Sequence, residues 1–458
     1  MNAVPSSLEK HLDAAVDAVK GRQLPGTANM VSLAAIAWGV AAAGYGLFAA
    51  GGETYAWTWG AILVGLFYTI CLGQGGGAFA FIITATQARW SRPLKRVAES
   101  FMVFLPVAWL LLLGFLVGGL GLYTWNPDTF VSSGAVALAP HSPEALPAKE
   151  LWLEPTFFVV RQLACLGLLI LIDVVYLRAS LKPDLIRAKA RLGDSAPGWW
   201  DSIIGGATDA KAAHEAGFKT QNTLVPFMGF AYALLMSFLA FDLIMSLSPW
   251  WFSNMFGGWI FMTALWIGMC GIGLTAILGQ DWLGIRGLLK VNVTHDLGKL
   301  VLANTMFWAY TLYAQILPIY YTNVAEETDY LLVRMFLPEW SWLAQTVAVM
   351  CFIAPFTMLL SRGLKKMQGP WIALGTVIMV GVFLNFTLLV QPSVYMAREF
   401  PMMDFLFISV GVWAGFMGLF VQVVGRFLAQ VPGTVVGDEL IEDHPWDVHV
   451  HSLRGDHH

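Results

Sequence analysis

Apolar residues gather into ten long stretches, near residues 30–50, 57–85, 99–123, 156–180, 221–247, 258–279, 296–322, 341–361, 370–391 and 403–428. Each reaches the roughly 20 residues a helix needs to cross a hydrocarbon core. The pattern predicts an all-α integral membrane protein with ten transmembrane helices, termed spans 1 to 10. Short polar turns join most of them, which favours antiparallel neighbours. Composition agrees: 57% of the 458 residues are hydrophobic and 12% are charged, far from the typical quarter charged in a soluble domain.

Charge sets an expected orientation, because basic loops stay on the cytoplasmic side. All but four of the 26 basic residues fall on the side that holds both termini; the exceptions are Lys149, Arg161, Arg334 and Arg398. Both termini are therefore expected in the cytoplasm. Residues 1–29 are polar and helix-forming, without the charged-then-apolar build of a cleaved signal. A net charge of −4 gives no reason to expect nucleic acid.

A weak repeat runs through the middle of the chain. Span 3 ends Leu122-Tyr-Thr-Trp-Asn126 and span 7 ends Tyr320-Tyr-Thr-Asn323. Gln162 precedes Leu181-Lys182 by the same interval that separates Gln345 from Leu364-Lys365. Spans 2–5 and 6–9 are then two four-helix bundles in parallel repeat, with two flanking helices; chance similarity among apolar helices is the competing explanation. The chain divides into an N-terminal segment 1–29, a first flanking helix and turn 30–56, four-helix units 57–247 and 248–391, a last flanking helix 392–430 and an acidic, His-rich tail 431–458. Gly73-Gln-Gly-Gly-Gly77 and Gly114-Phe-Leu-Val-Gly118 have the spacing of close helix packing. The Gln74 amide, at membrane depth, must find a partner.

Three connections are longer. The Pro- and Ser-rich segment Asn126–Pro155 is an expected docking surface for an external subunit. Residues 181–220, basic and carrying Trp199-Trp200, are expected to lie partly at the headgroups. In the tail, His449, His451, His457 and His458 lack fixed ligand spacing, which favours a solvated tail over a metal site.

Cys71, Cys165, Cys270 and Cys351 are isolated on four spans, and no C-x-x-C or C-x-x-C-H occurs. No histidine falls at mid-membrane depth. An iron–sulfur cluster or haem is thus not expected in this chain, and redox metals, if involved, belong to partner chains. No P-loop, dinucleotide fingerprint, zinc-protease motif or nucleophile elbow appears. The chain alone is expected to catalyse no covalent chemistry, whereas a quinone site, which needs only an apolar cleft with one or two hydrogen-bonding groups, stays open.

Asp242 is the most pointed functional signal. It sits in an otherwise uncharged apolar run, and a carboxylate at that depth reads by default as a proton, ion or substrate site. The competing reading pairs it with Ser246, one turn on, as interhelical glue. Asp173 lies deeper, toward the cytoplasmic face; a cytoplasmic half-path through Asp173, His295 and Lys299 could meet an external one through Asp242, Glu326 or Glu327, or Asp173 could instead only offset Arg178. On span 7, Asn304, Trp308, Thr311 and Gln315 share one face. They could order water between the cytoplasmic group His295, Asp296 and Lys299 and the external Glu326 and Glu327, or simply bond to neighbouring helices. Arg161, Arg398, Glu399 and Asp404 could form an external ion-pair cluster, against which stands simple snorkelling.

Two stretches carry a more specific likeness. Phe241-Asp-Leu-Ile-Met-Ser-Leu-Ser-Pro-Trp-Trp-Phe-Ser-Asn-Met-Phe-Gly257 is one; His295-Asp-Leu-Gly-Lys299, continuing through Phe307-Trp-Ala-Tyr310, Gln315, Asn323 and Glu326-Glu327-Thr328, is the other. Both closely resemble the ActF-type membrane subunits of alternative complex III, a bacterial quinol:cytochrome c oxidoreductase, within the wider NrfD/PsrC class. Ala325 and Ala314 stand where proline and serine are expected.

The resemblance implies ten spans in two four-helix bundles and residence in the bacterial inner membrane. It also implies partners: an ActC-like sister subunit beside which quinol is oxidised, an iron–sulfur subunit, multihaem and monohaem cytochromes c, small membrane subunits, and lipids. Haem c and iron–sulfur clusters would sit in those partners. Asp242, Ser246, His295, Asp296, Lys299, Gln315, Glu326 and Glu327 are the site residues it carries over, on a candidate proton path. The alternatives are a PsrC-like quinol-binding anchor of another molybdenum or iron–sulfur enzyme, and a stand-alone secondary transporter.

Overall fold

The computed structural model describes residues 7–131, 149–395 and 400–442. Every regular element among them is helical. Ten helices are long and apolar enough to cross a membrane: Gly26–Ala50, Gly52–Ala85, Arg92–Gly118, Pro155–Ser195, Ala210–Leu247, Asn254–Leu278, Val291–Thr322, Pro338–Leu360, Gln368–Val394 and Met402–Ala429. The chain is a multi-pass, all-α membrane protein.

All ten expected spans are present, but several helices outrun their apolar stretches. Span 3 starts at Arg92 rather than 99, span 4 runs on to Ser195, and span 5 begins at Ala210. Hydropathy ends where charge begins, whereas a helix ends only where its backbone hydrogen bonds do. Glu154 marks one such start, its carboxylate accepting from the Phe157 N–H as an N-cap. Three spans contain a π-helical turn, at Tyr45–Ala50, Val349–Ile353 and Phe405–Ser409.

Span 2 is the axis of the molecule. Its most apolar window is 94% buried, against 17% for span 1. It packs on spans 3, 5, 6, 9 and 10; span 6 packs in turn on spans 3, 5, 7 and 9. Spans 2 and 6 cross where a Cβ on Gly75 would stand 1.9 Å from the Ala264 carbonyl oxygen, and one on Gly268 would stand 2.4 Å from Gly75. Only glycine permits that approach. Spans 3 and 4, 4 and 5, 7 and 8, and 8 and 9 are also neighbours, and span 1 lies along span 10. Of the second glycine pair, Gly118 packs against Trp59, but Gly114 has nothing near its Cβ position, so that spacing is no helix seam.

The described chain ends meet at one end of the bundle, called proximal below; the opposite end is distal. The helix Ser7–Asp17 buries Leu12, Ala15 and Val16. Arg22 donates to the carbonyls of Leu428, Val431 and Trp282, and burial lowers its pKa to about 10. The tail begins differently from expectation. Val431, Thr434, Val435, Val436 and Asp438 are buried, so residues 431–438 of that segment are a packed strap rather than a solvated one. The four tail histidines lie outside the described residues. Trp200 is likewise fully buried, donating to the Gln430 carbonyl at 3.0 Å, because the bundle's own proximal end offers it an acceptor and apolar walls.

Candidate functional site

Four helices bring a polar assembly together between the proximal end and the membrane's middle. Arg92, Lys95, Arg96 and Glu99 occupy the first turns of span 3, at the i, i+3, i+4, i+7 spacing that keeps all four on one face. That face is turned inward, and none of the four is more than 3% exposed. Arg92 Nη1 donates to Asp438 Oδ2 at 2.8 Å, and Arg96 Nη1 to Glu99 Oε2 at 2.6 Å. Arg96 Nη2 donates to Asp184 of span 4, while Lys95 reaches Gln221 of span 5 at 3.2 Å. Asp184 also accepts from the backbone N–H groups of Val436 and Gly437 at 3.0 and 2.6 Å, which fastens the strap.

Three cations face three carboxylates here. Buried charges survive only when paired and hydrogen-bonded in this way. Burial would push the Asp438 carboxyl up, but Lys95, Arg92, His214 and the Leu440 N–H outweigh it and hold the group below the ordinary carboxylate value. Glu99 Oε1 is left without a hydrogen-bond partner.

Deeper in, spans 2 and 4 continue the polar line. The Tyr176 hydroxyl lies 2.7 Å from Thr84 Oγ1 and 2.9 Å from the Ala80 carbonyl. Two turns of span 2 further on, Gln74 Nε2 donates to Asp173 Oδ2 at 2.8 Å. The Gln74 amide thus finds its partner on span 4, and Asp173 is engaged with it while Arg178 is exposed. Both Gln74 and Asp173 are buried.

At the distal end, Asp242 is 1% exposed and fully engaged. Oδ2 accepts from Arg161 Nε at 2.7 Å and from Gln162, and Oδ1 accepts from Trp152 Nε1 at 2.9 Å. The Arg161 guanidinium is stacked 3.9 Å from the Trp152 ring. Ser246 donates to the backbone carbonyl of Asp242 rather than to its carboxylate. This geometry is a clamp between the distal ends of spans 4 and 5. Arg161 therefore answers Asp242; Arg398 and Glu399 lie outside the described residues, and Asp404 accepts from Thr54 at 3.0 Å.

Span 7 places its polar residues on a shared side but links them only to itself. Asn304 donates to the Leu300 carbonyl at 3.0 Å, Thr311 to Phe307 at 2.8 Å and Gln315 to Thr311 at 3.1 Å, each one turn back. Lys299 Nζ lies 2.8 Å from Asp296 Oδ1, and His295 Nδ1 3.4 Å from the same oxygen. Glu327 is partly exposed on the short helix Ala325–Met335, and the Glu326 side chain lies outside the described residues. Among the described residues, no hydrogen bond joins the His295 group to Asp173, or Gln315 to Asp242. Gln315 and Trp308 instead border a cavity of about 280 Å³ lined by spans 6 to 9 and that short helix.

The sequence reading missed the six-charge cluster because it began span 3 at residue 99 and treated the preceding charges as a loop. The heptad-like spacing of Arg92, Lys95, Arg96 and Glu99 was the available signal. Asp438, distant in sequence, offered none. No protein-family model matches this chain, and neither does any curated protein.

Proposed function

We propose that this chain is a membrane subunit of a bacterial respiratory quinol:cytochrome c oxidoreductase of the alternative complex III type. It would lie in the inner membrane beside an ActC-like sister subunit, hold no redox metal of its own, and conduct protons along spans 2 to 5. The motifs from Phe241 to Gly257 and from His295 to Thr328 support the family reading. The closed packing order 2–3–4–5 and 6–7–8–9, joined through spans 2 and 6, supports two four-helix units flanked by spans 1 and 10. The basic residues crowding the proximal end support a cytoplasmic location for both termini.

The observation that carries the proton assignment is the buried line from the six-charge cluster through Tyr176 and Thr84 to the Gln74–Asp173 pair. A carboxylate at membrane depth is costly unless it works or is paired, and Asp173 has only a neutral amide. It can therefore take up and release a proton without breaking an ion pair, whereas Asp242 is tied to a guanidinium. Asp173 is the proton-accepting group of this reading, with Asp242 the structural one.

Two measurements test it. Gentle detergent purification should co-elute c-type haem, an iron–sulfur subunit and a sister membrane chain; a haem-free chain running alone would remove the family reading. In the assembled complex, Asp173→Asn keeps the Gln74 contact and should lower the proton-to-electron ratio while quinol oxidation continues. An unchanged ratio would take Asp173 out of the path.

A further inference from the structure

The cavity among spans 6 to 9 is not part of that proton line, and its chemistry differs from it. Its walls are almost wholly apolar, built from residues such as Leu312, Ile316, Val347 and Leu388. It opens at the surface between spans 7 and 8, where Tyr313 and Ala348 are exposed and Tyr310, Val349 and Ile353 continue an exposed apolar margin. The π-helical turn Val349–Ile353 begins directly after Ala348; such turns interrupt a regular helix at functional sites more often than elsewhere.

At the distal end of the cavity stands a cation without a counter-charge. Arg334 is 5% exposed. Its guanidinium is stacked 3.5 Å over the Tyr330 ring, which itself lies flat against Trp251 at 3.9 Å. The three form a rigid roof. Arg334 donates to the carbonyls of Tyr330 and Leu389 and to Ser393 Oγ, all neutral acceptors, and its Nε has no partner. No carboxylate among the described residues forms an ion pair with it. Asn385 Nδ2, Trp259 Nε1 and Trp308 Nε1, buried at the same cavity, also lack partners within the chain.

We propose that this cavity binds the acyl chain of an anionic membrane amphiphile, entering between spans 7 and 8 and setting its charged oxygens toward Arg334. The apolar walls exclude water, which needs several polar neighbours to be held, and they open toward lipid. A buried guanidinium is costly in hydrocarbon until an anion meets it. Carboxylate and phosphate oxygens match the planar fork of its N–H groups. A phospholipid and a free fatty acid offer the same chemistry, and the site is independent of which enzyme the chain serves.

Native mass spectrometry of the full chain in a non-ionic detergent tests the inference. The probes are phosphatidylglycerol, phosphatidylcholine with the same acyl chains, and oleate. Phosphatidylglycerol, whose phosphate charge is not offset by a choline cation, should be retained over phosphatidylcholine by roughly tenfold. Arg334→Gln should abolish that preference while leaving a weaker, headgroup-blind retention. Ala348→Trp, which fills the mouth and leaves the roof intact, should lose both lipids. Retention of oleate in place of phosphatidylglycerol would identify the free acid as the source of the same chemistry. Equal retention of the two phospholipids by the unaltered chain, or undiminished retention by Ala348→Trp, would overturn the proposal, as would a neutral isoprenoid held there with no anionic lipid.

Discussion

Between spans 2 and 4, polar side chains bond across the gap between helices, Gln74 to Asp173 and Thr84 to Tyr176. On span 7, Asn304, Thr311 and Gln315 each turn back onto their own backbone, and the space beside them is apolar. Both helices look polar when read alone. What separates them is whether a neighbouring helix presents a partner at the same depth. A stripe that satisfies itself needs neither water nor neighbour, whereas a cross-helix pair fixes the register of two helices and leaves groups that can exchange protons.

The contrast can be strained hardest at the charged end of the first region. Arg96 bridges Glu99 and Asp184, so Arg96→Met strands two buried carboxylates and should cost about 3–5 kcal/mol. Denaturant titration of the detergent-solubilised protein measures this, and a loss below about 1 kcal/mol would mean that the cluster is open to water. A smaller effect is expected from acidification.

The folded pKa of Asp438 lies below its unfolded value. Its contribution is therefore complete above the ordinary carboxylate pKa of about 3.9 and disappears as pH falls through the lower, folded value. Hydrogen exchange of residues 431–442 should stay protected from neutral pH down to about pH 5 and rise only below about pH 4; release at about pH 6 would implicate a different group. The smallest change belongs to the second region. Gln315→Leu gives up one hydrogen bond to its own helix and should alter stability by no more than about 1 kcal/mol. A loss as large as that of Arg96→Met would show that the stripe is wired to something beyond span 7.

The ten spans were legible because about 20 apolar residues in sequence have few other uses. Their ends were not, since the charges of Arg92 to Glu99 read as a loop until their partners are known. Asp242 stood out as the one acid in its apolar run, but the groups that hold it, Arg161 and Gln162, lie about 80 positions earlier, and no local pattern links them. That Gln74 must find a partner followed from its depth alone. Which partner depended on how far spans 2 and 4 slide past one another, a register in which a Cβ on Gly77 would stand 3.6 Å from Asp173 Oδ1 and which no pattern within either span records. No hydrogen bond among the described residues joins Asp173 to the His295 group: Asp173 turns to span 2, while His295 keeps company with Asp296 and Lys299.

The strap from Val431 to Asp438 has a consequence for how the chain is made. Its carboxylate meets Arg92 across 346 residues of sequence. Until that late stretch emerges from the ribosome, Arg92, Lys95 and Arg96 face only Glu99 and Asp184, and the cluster holds an excess positive charge in a groove not yet covered. That late turn of backbone supplies both the missing charge and the cover. A chain cut short before Asp438 would carry all ten spans yet display an open cationic groove at its proximal end.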